Sequence, residues 1–259
     1  GLFSHKDFIE LSRRFVCVRL DSYESEKHQE WVRHFLGGRF ENSVFAILSP
    51  NGQDWLSRSS RGPNQVFGSD AGVISSMTAI ADRYSVKGDP AKAVVEDFHS
   101  VRQALNVASA DQRVLALVAG SGAEIKAAKE SLRAVASHKD VIGRFHFDFD
   151  SGYGWRDSIK GEESSGGIFL IRPGEFGMDG EVMAQLAFDA GTAAIRAALE
   201  KARVKFAATT KKKVYSEHVA RGGKLGIYFE GNVEYGEDRD GDGQVDRGRG
   251  GGGRSGQRR

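Results

Sequence analysis

Residues Gly166–Phe206 read GGIFLIRPGEFGMDGEVMAQLAFDAGTAAIRAALEKARVKF. Ile168 to Ile171 is a short continuous apolar run, the pattern of a buried strand. Arg172-Pro173-Gly174 ends it, because proline lacks a backbone donor and glycine tolerates positive φ. A second extended segment runs from Gly180 to Leu186. Thr192 then caps a helix with Ile195, Ala198, Leu199 and Ala202 on its apolar face. Arg196, Glu200, Lys201 and Arg203 take the opposite face.

Upstream, Val114 to Val118 reads as a strand and Ala123 to Ala136 as a helix with Ile125, Ala128, Leu132 and Val135 inward. From Ile142 to Phe149, Phe145, Phe147 and Phe149 alternate with Arg144, His146 and Asp148, the period of a half-buried strand. Trp155 to Ile159 reads as a short helix. In the first half, Ser4 caps a helix to Arg14 with Phe8 and Leu11 inward. Phe15 to Leu20 is β-branched and aromatic, hence a strand. Glu26 to Leu36 is a helix with Trp31, Val32 and Phe35 on one side, stopped by Gly37-Gly38. Ser43 to Leu48 is a strand, Ser49-Pro50-Asn51-Gly52 a turn, and Gln53 to Ser57 the return. Gly72 to Tyr84 is helical. Asp89-Pro90 opens a long helix striped by Ala91, Val94, Val95, Phe98, Val101 and Leu105. Ser109 to Gln112 is the expected domain boundary.

This element order, partial in the first half and fuller in the second, resembles the thioredoxin-like fold. The resemblance implies an α/β chain of two tandem thioredoxin-like domains, each a central mixed sheet flanked by helices. The first spans 1–108, its opening strand absent or upstream, and the second spans 112–206. A C-terminal extension, 207–236, carries a further strand at Lys224 to Glu230, and residues 247–259 form a disordered Gly/Arg-rich tail.

In a redox-active member of that fold, Cys-x-x-Cys lies between the first strand and the next helix, whose N-terminus lowers the thiol pKa. Here Gly120-Ser121-Gly122-Ala123 occupies that place, and Gly166-Gly167 stands where the fold's cis-proline is expected. The expectation is a redox-inactive module for protein–protein interaction or structure, with no catalytic residue and no organic cofactor. The alternative is a thiol–disulfide oxidoreductase whose Cys-x-x-Cys lies upstream of Gly1. Gly120-Ser121-Gly122 also admits two readings, an anion cradle or a tight strand-to-helix turn.

Composition narrows the classes. The 37 basic and 35 acidic residues leave a net charge of +2, so no global field points to nucleic acid; only the Gly/Arg tail would bind it. The single cysteine, Cys17, excludes an intrachain disulfide and a cysteine-based zinc site, and its strand context predicts a buried core residue. No run of 18 apolar residues is present, so no membrane span is expected. The seven histidines are dispersed. Asp148 and Asp150 share one strand face, read as a solvated polar face ending in a turn.

The most specific motif is Asp238-Arg239-Asp240-Gly241-Asp242-Gly243-Gln244-Val245-Asp246, within residues 237–246. Aspartates at alternate positions followed by glycine resemble the first half of an EF-hand calcium loop. Asp238, Asp240 and Asp242 converge on a hard cation, Gly243 makes the sharp turn, Gln244 offers its carbonyl, and Asp246 ligates directly or through water. Position twelve, where a bidentate Glu belongs, is Arg249, so calcium affinity is expected on the order of 10⁻⁴ to 10⁻³ M. That range suits a secreted or periplasmic protein. The competing reading is an acidic solvated linker.

Overall fold

The computed structural model describes residues 2–84, 94–162, 164–229, 231, 233–234 and 236–246. They form two compact units, Gly1–Val86 with Phe229–Arg259, and Lys87–Tyr228. The chain is α/β, with one mixed five-stranded sheet flanked by helices, and that sheet lies in the second unit.

In the second unit, α5 (Val101–Asp111) leads into β1 (Val114–Ala119). Then follow α6 (Gly122–Ala136), β2 (Phe145–Asp150), β3 (Ile159–Lys160), β4 (Gly167–Pro173), β5 (Gly180–Leu186), α7 (Thr192–Thr209) and α8 (Tyr215–Lys224). The strand order is β2-β1-β4-β5-β3. β1 runs parallel to β2 and antiparallel to β4; β4 and β5 are antiparallel, and β3 runs parallel to β5. A register shift between Leu170 and Ile171 bulges the β4–β5 ladder.

The apolar runs explain the centre. β1 and β4 are buried on both faces, which only a sheet covered on both sides permits. On one side Val114, Ala116, Val118, Ile168 and Leu170 pack with Leu132 of α6 and Ile195 and Leu199 of α7. On the other, Leu115, Leu117, Phe169 and Ile171 pack with Ala104, Leu105 and Ala108 of α5.

The first unit holds α1 (Lys6–Ser12), α2 (Glu26–Phe35), α3 (Pro63–Phe67) and α4 (Asp70–Ala81). Phe8, Leu11, Ile47, Val73, Met77 and Ile80 form one cluster; Val32, Leu36 and Phe40 form another. Its described residues pair only in isolated antiparallel bridges, Phe40 with Asp238, Phe45 with Ser60 and Leu48 with Trp55.

Several local expectations are corrected. Phe15–Leu20 forms no strand; Val16 and Val18 stand 93% and 75% exposed. Cys17 is likewise exposed, not a core residue. Ser43–Leu48 and its return are bridged and turned as expected, with Gly52 N–H donating to Ser49 O (2.8 Å), but make no regular ladder. The long helix expected from Asp89 starts only at Val101. Its first residues fall outside the described ones, and 94–98 are neither helix nor strand. Asp97 Oδ1 accepts from His99 N–H, His99 adopts φ 54°, and Ser100 caps α5 through Gln103 N–H, so the chain turns before the helix begins. The expected boundary at Ser109–Gln112 is the C-terminal end of α5, inside the second unit. Tyr215–Lys224 is a helix that the sequence reading lacked, and Leu225–Phe229 follows it without a strand. Glu230 and the 247–259 tail lie outside the described residues.

Candidate functional site

Two places concentrate chemistry, one in each unit. In the first unit, Asp238, Asp240 and Asp242 bring one carboxylate oxygen apiece within 4.8 Å of one another. The loop is folded by its own backbone. Asp238 Oδ1 accepts from Gly241 N–H (2.8 Å) and Oδ2 from Gly243 N–H (3.0 Å). Asp240 accepts from Asp242 N–H (3.2 Å), and Asp242 from Gln244 N–H (2.8 Å). Gly241 and Gly243 sit at φ 78° and 87°, values that glycine adopts without strain. Asp246 turns back to accept from Arg239 N–H (2.7 Å) and stands outside the convergent group. Asp238 is buried while Asp240 and Asp242 are exposed, so the group opens to solvent on one side.

The loop is anchored by contacts that its motif does not announce. Phe40 and Asp238 exchange backbone hydrogen bonds of 2.7 and 2.8 Å. The buried Glu237 accepts from Asn42 N–H (3.0 Å), Arg61 (3.3 Å) and Arg239 (2.5 Å). The Asn42 hydrogen bond, with help from Arg239 and Arg61, holds its carboxyl below the ordinary Glu range. Buried Glu41 pairs with Arg61 at 3.1 Å. Arg33 of α2 lies 3.9 Å from Asp238 Oδ2.

In the second unit, a cleft of about 550 Å³ opens at the C-terminal ends of the parallel strands β1 and β2. Gly120, Ser121 and Glu124 line it at the start of α6, Ser151 to Tyr153 after β2, and Ser164 to Gly166 before β4, with Phe188 as an apolar wall. The glycines make room for that wall: a Cβ on Gly120 would meet the Phe188 ring at 2.4 Å. Glu124 accepts from Ser121 N–H (2.8 Å) and Oγ–H (2.7 Å), while Ser121 caps Glu124 N–H. In this reciprocal cap the Ser121 N–H and hydroxyl go to the Glu124 carboxylate and the Glu124 N–H to Ser121 Oγ, so the negative charge at the start of α6 is the chain's own, which favours the tight-turn reading of Gly120–Gly122 over the anion cradle.

Asp148 is not on a solvated face. It is fully buried beneath 94–100, with His146 beside it on the same side of β2, and both were missed as core residues. Cys17 Sγ donates to Ser12 O at 3.6 Å, and partial desolvation of the thiol raises its pKa. Neither change favours a nucleophile. Among the described residues no helix is long and apolar enough to cross a membrane. No family model matches the sequence, and neither the curated proteins nor the solved structures give a match.

Proposed function

We propose that this protein is a non-catalytic thioredoxin-like module that binds a polypeptide partner through the cleft of its second unit and carries a structural calcium ion in the Asp238–Asp242 loop. The observation that carries this reading is the cleft itself. It lies outside the carboxyl ends of β1 and β2, where open α/β sheets place their ligands. Its lining is serine, glycine, one carboxylate and two rings, with no thiol. The order β1, α6, β2, then the antiparallel pair β4 and β5 closed by α7, agrees with the element order of such a domain. Of the tandem pair, the second member supports the reading. The first has helices and isolated bridges to offer, so its kinship rests on the order of its apolar segments.

Calcium is the cation that the loop suits best, since oxygen ligands from flexible carboxylates fit its tolerance of irregular geometry. Three carboxylates this close repel one another, and a divalent ion relieves the repulsion. The affinity expected of this loop, on the order of 10⁻⁴ to 10⁻³ M, suits a secreted or periplasmic setting.

The test is a peptide array probed with the wild type and with Ser165→Arg, which fills the cleft. Peptide binding abolished by the substitution supports the reading; no binding, or binding indifferent to Ser165→Arg, contradicts it. Turnover in an insulin-reduction assay would instead favour the thiol–disulfide oxidoreductase reading.

A further inference from the structure

The segment 94–98 lies against β2, which is an edge strand. Val95 is buried in one apolar cluster and Phe98 packs against the other, while the polar attachments run through ionisable side chains. Phe98 N–H donates to Asp148 Oδ1 at 2.9 Å, and Phe147 N–H donates to Glu96 Oε2 at 3.0 Å. His146 is held between two carboxylates, with Nδ1 2.9 Å from Glu96 and Nε2 3.1 Å from Asp111 of α5. The second Asp148 oxygen, Oδ2, is buried with no hydrogen-bond partner among the described residues. A carboxylate oxygen buried without a donor is costly while charged, and protonation removes that charge.

We propose that the buried Asp148 carboxyl holds a proton while residues 94–98 lie on the β2 edge, and that it and the His146 clamp form a pH-sensitive clasp that fastens this segment and loosens as pH rises. The charged groups around it support that sense. Lys129 of α6 reaches Asp97 at 2.6 Å, and His99 lies 2.9 Å from the same carboxyl. Glu96 and Asp111 face His146, with Arg113 3.9 Å from Asp111. Burial, and then the nearby Asp97 charge, push the Asp148 pKa up to about 7. Burial alone would lower the His146 pKa, but the hydrogen bonds to Asp111 and Glu96 raise it above its ordinary value.

Both shifts have one sign. Each group binds its proton more tightly in the closed form, so each favours closure at low pH. For Asp148 that preference is lost between the ordinary Asp range and about pH 7, and for His146 above the ordinary His range. The exposed consequence is an unpaired strand edge, which natural sheets otherwise keep covered.

Hydrogen exchange on the full chain, corrected for intrinsic chemical exchange, tests this at the amides of Phe98 and Phe147. Their opening should increase from about pH 5 to about pH 8, by up to about tenfold per pH unit for one linked proton. In Asp148→Asn, whose amide oxygen can still accept from Phe98 N–H without a titrating proton, the Asp148-linked part of that slope, below about pH 7, should vanish while protection persists. Protection independent of pH in the wild type, or an unchanged slope in Asp148→Asn, overturns the proposal. Should Asp148→Asn not fold, the infrared carbonyl band of a protonated carboxylic acid in the wild type at about pH 6 decides: its presence supports the protonated Asp148 carboxyl and its absence overturns it.

Discussion

Gly167 shows how one residue can carry a constraint that its neighbours hide. It adopts φ 144°, and a Cβ there would stand 2.5 Å from the Leu186 carbonyl oxygen of β5. Both the backbone conformation and the close approach exclude a side chain. Gly167→Ala is therefore expected to destabilise the second unit by roughly 2 to 4 kcal/mol. Gly122, the first residue of α6, has an ordinary φ and open space around its Cα. Gly122→Ala should be neutral or stabilising by about 0.4 to 1 kcal/mol. Urea midpoints of the two variants check the contrast; equal effects would mean that the tight β4–β5 approach is misplaced. At this scale the Asp238 motif was legible because its spacing is local. The Glu41–Arg61–Glu237 anchor was not, because its members lie 20 to 196 positions apart in the chain and share no pattern. Asp148 was misread for a related reason: strand alternation reports polarity, and what covers a polar face comes from a distant segment.

At the scale of elements, the sequence spoke clearly wherever local chemistry and burial agree. The apolar stripe of α6 is buried as its period implies, while the complete capping box of Ser121 and Glu124 was not singled out in the sequence. Ser121→Ala removes the cap and should cost about 1 kcal/mol, read as a lowered thermal midpoint of the second unit. An unchanged midpoint would show that the cap is redundant. Phe15–Leu20 illustrates the opposite case. Its β-branched and aromatic residues favour a pleated surface, but strand propensity records fit against a partner, and among the described residues no partner strand pairs with it. The helix expected from Asp89 failed because Asp97, His99 and Ser100 offer the backbone a turn and a fresh cap, which an apolar stripe does not reveal. α8 went unread because Gly222-Gly223 and few apolar residues mask its period; Phe176 stacking on His218 and crossed by Arg221 supplies its docking.

On the scale of the molecule, the two units should answer pH differently. Asp148 and His146 make the second unit less stable as pH rises towards and past neutrality, by the signs given above. Glu237, held below its ordinary range, contributes stability to the first unit that is present above that range and lost as pH falls through the lowered value. With Trp31 and Trp55 replaced by Phe, the buried Trp155 reports the second unit alone. Its urea midpoint should be higher at about pH 5 than at about pH 8; the reverse order would contradict the clasp's contribution.

The part of the functional reading that one titration decides is that the Asp238 loop is a cation site and not a solvated linker. Isothermal titration of calcium into the wild type and into Asp240→Ala tests it directly. A saturable heat with Kd on the order of 10⁻⁴ to 10⁻³ M, abolished in the variant and poorly reproduced by magnesium, is the predicted result. No heat at millimolar calcium, or an isotherm that Asp240→Ala leaves unchanged, would contradict it.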